Sequence, residues 1–181
     1  MNRERIDREM GESGIIIREA IADDAEKMLN YLEKIAAESD FLTFGPGEFK
    51  LTLEQEKDTL DSYSIKDNAL FLVAEINGKI VGNLDFQGGS RPRTAHTGEF
   101  GISVLKDYWG QHIGKVLLKT LINWAKGTDL IRKINLRVRS DNERAKHLYQ
   151  SVGFIEEGII SRDLLVDGTF YDSILMGLTI D

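Results

Sequence analysis

The sequence predicts one α/β domain, a mixed β-sheet with helices on both faces. Three observations predict it. Strand-like and helix-like segments follow the order β α α β β β α β α β β, which calls for a sheet covered by helices. The dipeptides Asn77-Gly78 and Asp167-Gly168 sit between β-prone runs and mark tight hairpins. From Gly98 to Trp124 a strand, a glycine-bearing turn and an amphipathic helix come in succession.

Each element has its own signal. Residues 1–14 are polar and are expected to form a flexible segment, which leaves the domain at 15–181. Ile15–Ala20 reads as a strand. Ala22–Ser39 is an amphipathic helix, with Asp23 and Asp24 at its start and Met28, Leu29, Leu32 and Ile35 on one face. Ser39–Phe49 is an aromatic loop that sets Phe41, Phe44 and Phe49 around Gly45-Pro46-Gly47. Thr52–Lys66 is a second helix, opened by the capping box Thr52-Leu53-Glu54-Gln55. Ala69–Glu75, Lys79–Asp85 and Ala95–Val104 are strands, with a loop over Gly88–Thr94. Ile113, Val116, Leu117, Leu121 and Trp124 recur at helical spacing. Lys133–Arg139 alternates, with Ile134, Leu136 and Val138 inward, as a strand does. Asp141–Ser151 is a short helix that Asp141 or Asn142 can cap. Ile155–Leu165 and Phe170–Ile180 close the chain as a hairpin.

Composition narrows the function classes. The net charge of -7 argues against nucleic acid as a partner, because such binding rests on neutralising phosphates, and leaves a cationic substrate compatible. No cysteine is present, so disulfides and thiolate catalysis are excluded. Of the three histidines, 96, 112 and 147, none falls in an HExxH or paired spacing, and no metal site is expected. No apolar run reaches membrane-spanning length and the N-terminus lacks a signal-peptide core. A cytoplasmic protein with no membrane partner is the expectation.

The turn after Val104 carries the chemistry. A loop feeding a helix N-terminus exposes N–H groups with no intrahelical acceptor, and their partial positive charge suits a phosphate. Gly110 and Gly114 let the backbone approach one. Neither GxxxxGK[ST] nor GxGxxG is present, so the segment is not a P-loop or a dinucleotide fingerprint.

Three segments and the element order resemble the GCN5-related N-acetyltransferase (GNAT) superfamily, in its bacterial form. The strand–turn–helix unit is similar to the acetyl-coenzyme A motif Q/R-x-x-G-x-G/A. Ser140 to Phe154, SDNERAKHLYQSVGF, closely resembles the signature N-x-x-A-x-x-L-Y-x-x-x-G-F. Val166 to Met176 is similar to the closing hairpin of bacterial members, so the resemblance covers nearly the whole chain from Ile15. Aligning Gly114 with the last position of the cofactor motif puts Trp109 at Q/R and His112 at the first glycine. A histidine fits there at negative φ, since it is positive φ that favours glycine.

The resemblance implies acetyl transfer from acetyl-coenzyme A to a primary amine by direct attack, with no metal. The acceptor would be a small amine or polyamine, or a protein N-terminus or lysine. Such a transfer must take a proton from the amine, stabilise an oxyanion and protonate the leaving thiolate. Glu99, on the strand entering the cofactor loop, is the candidate base; a solvated or ion-paired glutamate is the structural alternative. Tyr149 falls at the family's general-acid position. The backbone of Gly110, Gln111, His112, Ile113, Gly114 and Lys115 would hold the pyrophosphate. Ile102, Ser103 and Val104 would pair with the pantetheine arm, and Asn142 would hydrogen-bond it. Phe41, Phe44 and Asp85 are candidates for the acceptor pocket. The alternative function is a non-catalytic acyl-coenzyme A-binding sensor or interaction module of the same fold. A homodimer through the terminal hairpin is the expected assembly.

Overall fold

The computed structural model of the chain describes residues 9–10 and 14–181. Among them the elements run β1 (Glu9–Met10), β2 (Ile16–Glu19), α1 (Ala25–Glu38), α2 (Leu53–Ser64), β3 (Ala69–Ile76) and β4 (Lys79–Gly88). They continue with β5 (Thr97–Val104), α3 (Ile113–Gly127), β6 (Lys133–Arg139), α4 (Glu143–Gln150), β7 (Ile155–Val166) and β8 (Thr169–Thr179). The strands form one sheet in the order β1-β2-β3-β4-β5-β6-β8-β7. It is mixed: β5 and β6 run parallel, while the other neighbouring pairs are antiparallel. Glu9 and Met10 pair with Ile17 and Ile16, within the segment expected to be flexible. For residues 1–8 and 11–13 that expectation lies outside the described residues.

Local chemistry sets the boundaries. Asn77 and Gly78 both take positive φ, 50° and 80°, as a two-residue hairpin turn requires, and Asp167 and Gly168 repeat the pattern at 48° and 78°. Thr52 accepts from the Gln55 N–H at 3.2 Å and Gln55 Oε1 accepts from the Thr52 N–H at 2.9 Å, so the capping box forms. Asn142 Oδ1 caps α4 by accepting from the Ala145 N–H at 3.1 Å. The first predicted helix starts three residues late, because Ala22–Asp24 tightens into a 3-10 turn. There the buried Asp24 carboxylate accepts from the Ile21 N–H and from both terminal nitrogens of Arg18.

The sheet splits the core in two. Leu70, Leu72 and Ala74 of β3 face the apolar stripe of α3, where Ile113, Leu117, Leu118, Leu121 and Ala125 are buried. Phe71 and Val73 point the other way, onto Met28, Tyr31 and Ile35 of α1 and Leu60 of α2. Helices therefore cover both faces, as expected. Each buried Leu or Ile contributes about 1.5–3 kcal/mol relative to exposure. Strand β7 is an outer edge of the sheet and leaves Ile155 and Ile159 exposed. Among the described residues no helix is long and apolar enough to cross a membrane.

Candidate active site

The parallel pair at the centre of the sheet is short. Strands β5 and β6 pair only through Thr97–Lys133, Gly98–Ile134 and Glu99–Asn135. Beyond Glu99, β5 stays with β4 as far as Val104, while β6 stays with β8 as far as Arg139. The two strands splay, and residues 100–104 have no strand on the β6 side. Backbone N–H and C=O groups on such an edge want partners, and an extended ligand carrying amides can supply them. The gap opens into a cleft of about 1220 Å³ that touches both faces of the sheet.

On the α3 face, the turn from Trp109 leads into the helix N-terminus. The first α3 hydrogen bond runs from the Val116 N–H to the His112 carbonyl, 3.1 Å, so the N–H groups of Ile113, Gly114 and Lys115 have no intrahelical acceptor. Gly110 has φ +81°. His112 has φ 61° and ψ 9°, a left-handed conformation, so the negative φ expected for it is not what forms. The reason is the turn itself: it must reverse just before α3, and that reversal needs a left-handed residue whatever the side chain. Histidine is among the non-glycine residues that tolerate this region best. At Gly114 a Cβ would lie 3.1 Å from Leu148 Cδ2, so the bare Cα lets α3 close on α4.

The other predicted cofactor residues line the same cleft, except Gln111, which is exposed and outside it. Ile102 and Val104 are half-buried along the open edge. Ser103 has a committed side chain: it accepts from the Tyr31 hydroxyl and donates to Asn83 Oδ1, both at 2.7 Å, and its backbone faces Asn83 of β4. Tyr149 is 8% exposed and packs edge-on against Phe100 and Phe154. Its hydroxyl has no hydrogen-bond partner among the described residues. Burial pushes this phenol well above its ordinary pKa, so it stays protonated and can donate.

On the α1–α2 face, Glu99 is ion-paired with Arg137, Nε to Oε1 2.8 Å, and its side chain is 48% exposed. Arg137 also faces Asp163 at 3.6 Å. The ion-paired alternative for Glu99 is thus the geometry found, and the side chain lacks burial. That burial is found deeper in the cleft. Desolvation pushes Asp85 up to about 6 and Glu56 up to about 7, the latter with help from the Asp85 charge. Tyr63 sets its hydroxyl 3.5 Å from Asp85 Oδ2. Phe41 and Phe44 line the same arm, and Phe44 meets Phe49 at 4.7 Å between centroids. The Arg139 guanidinium lies 4.1 Å from the ring centres of both Phe41 and Tyr171, which ties the aromatic loop to β6. His96 lies outside the cleft.

Sequence reasoning missed Glu56, Tyr63, Arg137 and Arg139. Glu56 carried a signal: with Leu53, Leu60 and Tyr63 it falls at helical spacing, so an acid occupies an apolar phase of α2. Among the described residues no group of three or more histidine, aspartate or glutamate side chains could hold a metal ion.

The fold and family have known relatives. A solved acetyltransferase of the GNAT family from Streptococcus pneumoniae is 34% identical, with a TM-score of 0.89 over 92% of this chain and 99% of that one. A Salmonella typhimurium acetyltransferase, solved with its cofactor acetyl-CoA, shares the fold at 19% identity and TM-score 0.81, over 93% of this chain and 95% of that one. An L-amino acid N-acetyltransferase of Escherichia coli is 31% identical over 105 residues, 58% of this chain and 65% of that protein. The chain therefore spans just under two thirds of that relative's length. The Acetyltransferase (GNAT) family model matches residues 29–154, from within α1 to the residue before β7, and the chain belongs to that family.

Proposed function

We propose that the chain transfers an acetyl group from acetyl-coenzyme A to a primary amine by direct attack. The observation that carries this reading is the open edge of β5 beyond Glu99, beside the uncapped N-terminus of α3 and in one cleft with the Tyr149 phenol. The family and the acetyl-CoA named with the Salmonella structure support it. Acetyl-coenzyme A supplies an acyl carbon activated as a thioester. The N–H groups of Ile113, Gly114 and Lys115 hold phosphate oxygens, and the edge at Ile102–Val104 pairs with the amides of the pantetheine arm. The free amide nitrogen of Asn142 adds a donor from α4.

As the amine nitrogen bonds to the acyl carbon, the carbon–sulfur bond breaks. Tyr149 gives its hydroxyl proton to the departing sulfur and regains one from solvent before the next turnover. Glu99, exposed and paired with Arg137, passes the amine proton to solvent through water. Amide and free thiol are the products. The rival reading, a non-catalytic acyl-coenzyme A module, would require His112, at a usual glycine position, to spoil the phosphate-binding turn. That residue holds the backbone as glycine would, and the unpartnered Tyr149 hydroxyl favours turnover.

A cytoplasmic location and a homodimer belong to the same reading. The exposed Ile155 and Ile159 on edge strand β7 are the apolar surface that a second copy would cover. The test of the activity is thiol release on a panel of small amines, polyamines and peptides. Release that requires an amine supports it; no release on any of them contradicts it.

A further inference from the structure

Resting on the acetyltransferase reading, we infer that the arm of the cleft between α2 and β4 seats a second, non-reacting ammonium of the acceptor, held by Glu56 and Asp85, so that the acceptor is an aliphatic diamine or polyamine. Glu56 is 2% exposed, lines the cleft, and its carboxylate makes no hydrogen bond or ion pair among the described residues. A buried carboxylate in that state is costly unless a cation completes it. The cations lining the cleft lie elsewhere: Lys115 sits in the first turn of α3, and three arginines are already engaged. Arg137 is committed to Glu99 and Asp163, Arg139 to Asp141 and the Asp40 carbonyl, and Arg144 stacks on Trp109. Asp85 stands opposite Gly101 on β5, where a Cβ would lie 3.1 Å from Asp85 Oδ1, so the bare Cα leaves that oxygen open to the cleft.

The seat is set apart from the reacting centre. The splay lies on the β6 side of β5, and Asp85 lies one strand further away, on β4. Neighbouring strands are about 4.8 Å apart, so one nitrogen cannot serve both places, and two nitrogens joined by about three to five carbons can. Phe41, Phe44, Tyr63 and Phe71 line the arm and suit the methylene chain. Desolvation raises both acids, the state that an incoming ammonium relieves.

The test compares 1,4-diaminobutane with n-butylamine and 4-amino-1-butanol, by thiol release and by calorimetric binding to the full chain. The diamine is expected to exceed both monoamines in kcat/KM by about 100-fold, the size of a charged hydrogen-bonded contact. Glu56→Gln and Asp85→Asn should each bring that ratio down about tenfold or more, through KM for the diamine. Acetyl-CoA binding by the same variants reports that they fold. Equal use of diamine and monoamines by the unaltered chain overturns the inference and leaves the acetyltransferase reading standing. A diamine preference that survives both substitutions overturns the assigned seat. Tight, Glu56-dependent diamine binding without thiol release upholds the seat and overturns the activity.

Discussion

The indole N–H of Trp109 donates to the Val104 carbonyl at 2.7 Å. This bond joins the turn before α3 to the last residue of the open β5 edge. Arg144 of α4 stacks on the same ring, 4.3 Å from its centre. One side chain thus holds three elements of the cofactor side in register. Trp109→Phe keeps a ring for Arg144 but removes the donor. We expect acetyl-CoA affinity to fall about fivefold, the worth of one hydrogen bond. Calorimetry on the variant checks it.

Tyr149→Phe removes only a hydroxyl that has no hydrogen-bond partner among the described residues. The fold should lose little, because Phe100 and Phe154 keep their edge contacts with the ring. The expected result is a fall in kcat of about 100-fold or more with acetyl-CoA affinity within about twofold. Stopped-time thiol assays and calorimetry on the same preparation measure the two.

His112→Gly relieves a left-handed non-glycine residue, a strain of about 1–3 kcal/mol, but frees the unfolded chain at a cost of about 0.5–1 kcal/mol. The net expectation is a gain of about 1 kcal/mol in urea unfolding. His112→Val should lose about the same, since β-branched residues are worst in that region.

The two raised acids set a pH dependence. Folded-state values of about 6 for Asp85 and about 7 for Glu56 lie above their ordinary ones, so folding favours the neutral forms. Their contribution is full below about pH 4 and is lost as pH rises through 6 and 7. Asp24 works in the opposite sense. Its burial favours the neutral acid, but the hydrogen bonds from Arg18 and Ile21 outweigh it and hold the carboxyl low. Its contribution is present above the ordinary carboxylate range and is lost in acid. Thermal melts of the ligand-free chain should therefore fall between pH 5 and 8, and Glu56→Gln should flatten that fall by about 2–4 °C.

Local signals were legible because their causes are local. The Thr52 capping box, the Asn77-Gly78 and Asp167-Gly168 turns, the stripe of α3 and strand β6 all form where periodicity and turn chemistry put them. The pairing of Glu9 and Met10 with β2 carries no pattern of its own, since two residues show no period. The partners of Glu99 and Asp85 were not legible for a tertiary reason. Arg137 meets Glu99 across a parallel pair that 37 intervening residues separate in sequence, and Glu56 meets Asp85 from a helix on the sheet's face. His112 shows the limit of motif alignment: the motif gives a residue type, and the turn alone decides φ.

The most direct test of the central claim is a calorimetric titration of the full chain with acetyl-CoA and with the same compound lacking its pyrophosphate, followed by thiol release on the amine panel. We expect saturable one-site binding of acetyl-CoA, a large loss without the pyrophosphate, and thiol release that needs both an amine and Tyr149. Absence of binding, or binding indifferent to the pyrophosphate, would contradict the assignment of the α3 N-terminus and the open β5 edge as the cofactor site.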